Sequence, residues 1–213
     1  PISDNELRKA EDLVGTTNAD VITGEAFTDT AILANESISD YRILHFATHG
    51  LVTAPNPSCP AKPALLTSFG NENSDGLLAF DEIFDLKLDA DIVILSACDT
   101  AGKASVAATR AAGVSTGGGT ALDGLVRSFI GAGGRSVLAS HWPAPDDFRA
   151  TERLINGLFS DGRGRSITSA LRRSQLGLMD DPITSHPYYW SGFALIGDGA
   201  RPFLPDTNNT ITN

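Results

Sequence analysis

The chain has 213 residues, a length that fits one large α/β domain better than two separate domains. Its composition, 41% hydrophobic and 20% charged, is typical of a globular protein that folds without disulfides or a structural metal. Sixteen Lys and Arg against 26 Asp and Glu give a net charge of −10. This charge argues against nucleic acid as a direct partner, because phosphate binding needs clustered basic residues. We interpret the acidity as a source of solubility.

The cysteines and the apolar runs indicate the compartment. Two cysteines, Cys59 and Cys98, do not make a disulfide framework, which favours a reducing compartment, the cytoplasm. No apolar run approaches about 18 residues, so we expect no membrane span. No signal peptide is visible after Pro1, and we expect a piece of a longer protein because the chain does not begin with Met.

The first part of the chain predicts helices and strands in turn. Apolar residues at helical spacing mark the helices, and short apolar runs between turn residues mark the strands. The predicted elements, in order, are a helix over 4–14, a strand over 19–23, a helix over 27–34 that Thr28 or Asp29 could cap, a strand over 41–48, a loop over 51–63 and a strand over 64–66.

The rest of the chain continues this alternation around one long loop. Residues 91–97 are almost continuously apolar, which is typical of a strand covered on both faces in a parallel sheet. Gly, Ala, Ser and Thr dominate 99–120, which predicts a mobile loop because so many small residues cannot repay their ordering entropy. The other predicted elements are helices over 80–86, 122–130, 148–159 and 166–179 and strands over 136–140 and 191–196.

This alternation predicts an α/β domain with a mostly parallel central sheet flanked by helices. We assign residues 1–201 to that domain and expect 202–213 to form a frayed polar tail. In such sheets the reacting groups gather at the carboxyl ends of the strands. The residues that follow the predicted strands are therefore the candidates for chemistry.

Two predicted strands are followed by a base and a thiol. The 41–48 strand leads into His49 and Gly50, and the 91–97 strand leads into Cys98 and Asp99. If these strands are parallel neighbours, about 4.8 Å apart, the imidazole and the thiol emerge at one edge of the sheet. A thiol is a weak nucleophile until a base favours the thiolate, so His49 and Cys98 form a candidate catalytic pair. The N–H groups of Gly50 and Cys98 could form an oxyanion hole.

The residues around this pair resemble one protein family. HFATHG and LSACDTA stand at the two strand ends, and His49 and Cys98 are 49 residues apart, close to the caspase spacing of about 50. Together with GLVRSFIGAGGRSVLASHWP, ALRRSQLGLM and HPYYWSGFALIGDG, these segments resemble the CHAT family, a bacterial branch of the caspase and separase superfamily. The resemblance covers roughly residues 4–199.

The resemblance implies a caspase-like three-layer sandwich and a cysteine endopeptidase. Peptide bonds would be hydrolysed through a thioester acyl-enzyme, with His49 as the base and Cys98 as the nucleophile. It also implies a protein or peptide substrate and an upstream helical-repeat (TPR-like) regulatory region. No cofactor is expected.

Two features depart from the family pattern. Family members begin with an earlier strand, central in the sheet, that has no counterpart before Asp4. We therefore expect an N-terminally truncated domain that lacks its first strand. The loop after Cys98 is also longer than usual, and it could be an activation or self-processing loop or a tolerated surface insertion.

Three further residues each have two interpretations. Asp99 could recognise a basic substrate residue or cap local N–H groups in a turn. Trp142 follows the 136–140 strand and could line a substrate cleft or pack in the core. His45 lies inside a strand, where it should pack or hydrogen-bond in the sheet interior, and it could also be a supporting partner of the base His49. His45 and His49 do not predict a metal site, because their spacing suits a helix and no third ligand is evident.

The alternative to an endopeptidase is a caspase-like scaffold or regulatory interaction module without turnover. A missing strand could misplace the catalytic pair by an ångström, and misplacement on that scale can cost about a hundredfold in rate. A serine hydrolase is not supported, because the chain has no GxSxG motif.

Overall fold

The computed structural model describes residues 4–15, 17, 19–51, 63–70, 73–96, 121–142, 144–145 and 147–206. Within these ranges the chain forms seven α-helices and seven strands. The helices are α1 (Asn5–Val14), α2 (Asp29–Leu33), α3 (Phe80–Asp85), α4 (Ala121–Gly131), α5 (Ala150–Asp161), α6 (Ile167–Met179) and α7 (Pro187–Trp190). The strands are β1 (Ile43–Phe46), β2 (Gly50–Leu51), β3 (Ala64–Leu66), β4 (Leu77–Ala79), β5 (Ile92–Leu95), β6 (Ser136–Ser140) and β7 (Phe193–Gly197).

The central sheet has four strands in the order β1-β5-β6-β7. β1, β5 and β6 are parallel, and β7 pairs antiparallel with β6. Every residue of β5 and β6 is buried, as expected for strands covered on both faces. A mostly parallel sheet flanked by helices confirms the predicted fold class and is consistent with a caspase-like sandwich.

Alternate residues of β5 face opposite sides of the sheet and create two apolar layers. Val93 and Leu95 pack in one cluster with buried residues of α2, α3 and α4. Ile92 and Ile94 pack in another cluster with buried residues of α1, α5 and α6. The helices on the two faces are therefore held by two separate cores that share the same strand.

A second, antiparallel sheet of three strands extends the first apolar layer. Its order is β2-β3-β4, so β3 lies in the middle. Leu65 and Leu78 are fully buried in the same cluster as Val93. The sequence predicts only β3 of this sheet, because β2 has only two residues and β4 runs directly into α3.

Most other predicted elements are confirmed with shifted ends. The strand over 136–140 is confirmed as β6, and the Thr28 hydroxyl caps α2 by accepting from the Ala31 N–H at 3.0 Å.

The predicted strand over 19–23 is wrong. Those residues pair with no strand in the described part of the chain, and Ile22 remains 43% exposed, so the segment buries too little to join a sheet. Helix α7 has no predicted counterpart. Residues 52–62 and all of the 99–120 loop lie outside the described residues.

The chain stays packed after Arg201. Phe203 and Leu204 are buried in the α5 and α6 layer, and the Phe203 ring meets Phe159 edge to face with centroids 5.1 Å apart. The predicted tail therefore begins with core residues rather than frayed ones, because two of its apolar side chains complete that layer. Residues 207–213 lie outside the described ranges.

Charged side chains connect the amino ends of the parallel strands. Arg42, which precedes β1, contacts Asp91 before β5 at 2.9 Å and Asp89 at 2.7 Å. Arg135, which precedes β6, also donates to Asp89, and this hydrogen bond, with the charges of Arg135 and Arg42, lowers the pKa of Asp89. Exposed ion pairs are individually weak, so we infer that these contacts align the strands more than they stabilise them.

A glycine substitution tests the turn between α4 and β6. Gly133 has φ +113°, and a Cβ there would lie 2.1 Å from the Leu88 carbonyl oxygen. We predict that Gly133→Ala lowers the free energy of unfolding by about 2 kcal/mol or more, measured by urea denaturation. The control is Gly177→Ala in α6, where a Cβ would meet nothing within 4 Å. It should raise stability by up to about 1 kcal/mol through helix propensity. Equal effects of the two changes would contradict this account.

Candidate active site

The β1–β5 register places the ends of the two strands that precede His49 and Cys98 in the sequence at one edge of the sheet. Phe46, the last residue of β1, pairs with Leu95, the last residue of β5. The Ser96 N–H still donates to the Phe46 carbonyl at 3.1 Å, so the strands remain joined where β5 ends. His49 follows Phe46, and Cys98 follows Leu95, by the same three positions. Cys98 and Asp99 lie outside the described residues, so their roles stay predictions.

The backbone at His49 is held by the second sheet. The His49 carbonyl accepts from the Leu66 N–H at 2.8 Å, and the buried Thr48 hydroxyl donates to the Leu66 carbonyl at 2.5 Å. His49 itself is exposed, so its imidazole is accessible to a substrate. Thr48 thus joins the backbone beside His49 to β3, and the sequence analysis misses this contact because a single Thr before a His carries no distinctive pattern.

The register of β2 also sets the direction of the Gly50 N–H. Gly50 pairs with Leu65, and the neighbouring pair is His49 with Leu66. Antiparallel pairs alternate between hydrogen-bonded and non-hydrogen-bonded. The His49–Leu66 contact therefore makes Gly50–Leu65 the non-hydrogen-bonded pair, and the Gly50 N–H points away from β3. This direction is a requirement for the predicted oxyanion-hole donor.

A buried polar cluster lies beneath these strand ends. His45 Nε2 is 2.7 Å from Glu6 Oε1 and 2.9 Å from Ser96 Oγ, and the Ser96 hydroxyl also donates to Glu6. The position of His45 agrees with its predicted hydrogen bonding in the sheet interior. The sequence gives no signal for Glu6 or Ser96, which come from α1 and the end of β5 and are distant in the chain.

Trp142 follows β6 at the same carboxyl edge. Its ring is half-buried, stacks on Tyr188 with centroids 6.4 Å apart and donates from Nε1 to the Tyr188 carbonyl at 3.2 Å. A Cβ at Gly192 would come within 2.9 Å of the ring, so this glycine allows the close approach. The ring is thus held in place at the edge where β1 and β5 end, while its role in binding substrate stays a prediction.

Two further properties concern metals and membranes. Among the described residues, no group of three or more His, Cys, Asp or Glu side chains is placed to hold a metal ion. In the same part of the chain, no helix has both the length and the apolar character needed to cross a membrane.

Thr48→Val tests whether β3 holds His49. The valine removes the hydroxyl and leaves the Leu66 carbonyl without this partner, at a cost of about 1–2 kcal/mol. We predict that the Leu66 amide, which donates to His49, exchanges its hydrogen about fivefold faster or more, as measured by NMR.

The matched control for that variant is Thr151→Val in α5. Thr151 is also buried and donates to a backbone carbonyl, that of Pro145 at 2.9 Å, outside this site. It should lower stability to a similar extent without local acceleration at Leu66. The same exchange rate for Leu66 in both variants would show that Thr48 does not hold His49.

The chain is similar in sequence to known proteins. The family model described as "CHAT domain" matches residues 1–198. Tetratricopeptide repeat protein 28 from Homo sapiens is 26% identical over 239 residues, which cover 97% of this chain and 9% of that protein. The Mus musculus protein of the same name is 27% identical over 135 residues, which cover 62% of this chain and 5% of that protein. The chain therefore matches less than a tenth of the length of these relatives.

Proposed function

Because the chain belongs to the CHAT domain family, within the caspase-like superfamily, we propose that it is a cysteine endopeptidase that uses His49 and Cys98. The observation that best supports this proposal is the β1–β5 register. It pairs Phe46 with Leu95, and His49 and Cys98 each follow one of these paired residues by three positions in the sequence. The exposure of His49 and the direction of the Gly50 N–H also support it.

The proposed reaction proceeds through a thioester. His49 removes the proton from the Cys98 thiol, and the thiolate attacks the carbonyl carbon of the substrate peptide. The N–H groups of Gly50 and Cys98 donate to the resulting oxyanion. The imidazolium then protonates the leaving amine as the C–N bond breaks. Finally His49 activates a water molecule that hydrolyses the thioester and frees Cys98.

The substrate-binding residues belong to the same proposal. Trp142 presents part of a fixed indole ring at the carboxyl edge of the sheet, where an extended peptide would lie across the strand ends. Asp99 directly follows the proposed nucleophile and would favour a basic residue near the cleaved bond. The substrate class is therefore a protein or peptide segment.

The setting of the domain is also proposed. The relatives are named tetratricopeptide repeat proteins, and this chain matches only a small part of them. We infer that a helical-repeat region upstream of the domain regulates it. A reactive thiol nucleophile suits a reducing compartment, so we place the protein in the cytoplasm.

A scaffold without turnover is the second candidate. It is favoured by one observation: β1, the strand that precedes His49, is the edge strand of the four-stranded sheet in the described part of the chain. An edge strand has backbone groups available to pair with another segment. Such a domain could bind a partner through that edge without cleaving it.

Substitution of the two proposed catalytic residues separates these candidates. We predict that Cys98→Ala and His49→Ala each lower kcat/KM for cleavage of a peptide library by at least about a thousandfold, because each removes a reacting group. Cys59→Ala, the control for the other cysteine, should retain activity. The fold should survive in each variant, as measured by circular dichroism.

Alkylation provides a second readout for the same residues. Iodoacetamide should label the thiol of Cys98 faster than that of a free cysteine, and His49→Ala should remove the difference. Ordinary labelling rates together with no cleavage of any peptide would contradict the endopeptidase and favour the scaffold.

Trp142→Ala tests the proposed substrate contact. Loss of the ring should raise KM about tenfold with a smaller change in kcat, because binding area is removed without removing a reacting group. The control is Trp190→Ala, since Trp190 is also half-buried and donates to a backbone carbonyl, that of Ser185 at 3.0 Å. A KM equal to that of the parent in Trp142→Ala would exclude the contact.

A further inference from the structure

Three polar side chains from distant parts of the chain meet inside the layer between the sheet and α1. Glu6 comes from α1, His45 from β1, and Ser96 directly follows β5. The Glu6 and His45 side chains are only 11% and 8% exposed. One carboxylate oxygen of Glu6 receives both the Ser96 hydroxyl and the His45 Nε2 contact. These contacts are satisfied together when Nε2 carries the proton of the imidazole.

This cluster is not explained by stability alone. His45 Nδ1 is buried without a hydrogen-bond partner among the described residues, and the ring stacks on Phe159 with centroids 6.1 Å apart. Buried ionic groups in such a layer are often no more stabilising than apolar side chains of similar volume. A buried imidazole with only one of its two nitrogens hydrogen-bonded therefore needs another explanation. The position of His45 supports the explanation that the cluster fixes the geometry of the strand ends.

The cluster lies where β1 and β5 end. His45 is the residue before the end of β1, and Ser96 also donates its backbone N–H to Phe46 at 3.1 Å. Ser96 stands two positions before Cys98, and His45 stands four positions before His49. The side-chain and backbone bonds of Ser96 thus hold the end of β5 against β1 and α1.

Helix α1 braces this junction from outside the sheet. Glu6 is its contact with the strand ends, and Lys9 contacts Glu152 of α5 at 3.0 Å. Arg163 also donates to the carbonyl of Leu13 near the end of α1. The helix is therefore anchored on α5 and at its carboxyl end while Glu6 reaches the strands.

We propose that Glu6, His45 and Ser96 are positioning residues that set the orientation of the β1 and β5 ends and thereby the alignment of the proposed His49–Cys98 pair. None of the three takes part in the chemical steps. The catalytic part of this inference rests on the proposed endopeptidase function, and its structural part does not.

An apolar triple variant, Glu6→Leu, His45→Phe and Ser96→Ala, tests the proposal. It removes every polar group of the cluster together, so no partner is left buried and unpaired. We expect a free energy of unfolding at or above that of the parent, with kcat for peptide cleavage at least about tenfold lower and KM unchanged. A stable triple variant with the parent's kcat would overturn the proposal.

A second pair of variants decides the outcome if the triple variant does not fold. His45→Gln keeps an N–H donor near the position of Nε2, whereas His45→Met keeps the bulk and removes the donor. We expect His45→Gln to retain most of the parent's kcat and His45→Met to lose about tenfold. Equal kcat values in these two variants would overturn the proposal.

The control and the independent readout use α1 itself. Lys9→Ala breaks a different contact of α1, the one with Glu152, and should leave kcat unchanged. If the parent cleaves no peptide, the endopeptidase proposal fails, and hydrogen exchange at the Ser96 amide still decides this inference. Faster exchange in the cluster variants than in Lys9→Ala supports it, and equal exchange overturns it.

Discussion

The parallel pairing of β1 with β5 is the constraint on which the candidate site depends. Both strands lie between two apolar layers, and a slip by one residue would move every side chain of the slipped strand to the opposite layer and undo its packing. The register is therefore well specified, and Phe46 stays opposite Leu95. Arg42 reinforces it at the amino ends through Asp91. Because burial fixes the register, the ends of β1 and β5 lie side by side at one edge of the sheet. His49 and Cys98, which follow these ends in the sequence, are 49 positions apart in the chain.

The strand ends are supported from two sides. The second sheet holds the backbone at His49 through Leu66, and α1 holds Ser96 through Glu6. A dyad needs its two groups within hydrogen-bond reach, and small displacements cost rate steeply. Support by a strand on one side and a helix on the other would limit such displacements of the strand ends.

The sequence predicts the parallel core well because burial on both faces produces long apolar runs. β5 and β6 are clear for this reason, and their pairing follows from the alternation of strands with helices. The strands β2 and β4 are not predicted, because β2 has only two residues and β4 runs directly into α3. The cluster of Glu6 with His45 and Ser96 is not predicted for a different reason, because it joins residues that only the fold brings together. His49 and Gly50 can be selected from the sequence because they come three and four positions after β1, while their roles stay predictions.

The most direct test of the central claim is a crosslink between the two strand ends. The variant His49→Cys, made with Cys59→Ser, leaves two thiols whose Cα atoms must lie about 4.4–6.8 Å apart to form a disulfide. Under mild oxidation, mass spectrometry of the digested protein should show the cysteine at position 49 joined to Cys98 in most molecules. Two free thiols after oxidation, with the fold intact, would show that β1 and β5 do not bring these positions together.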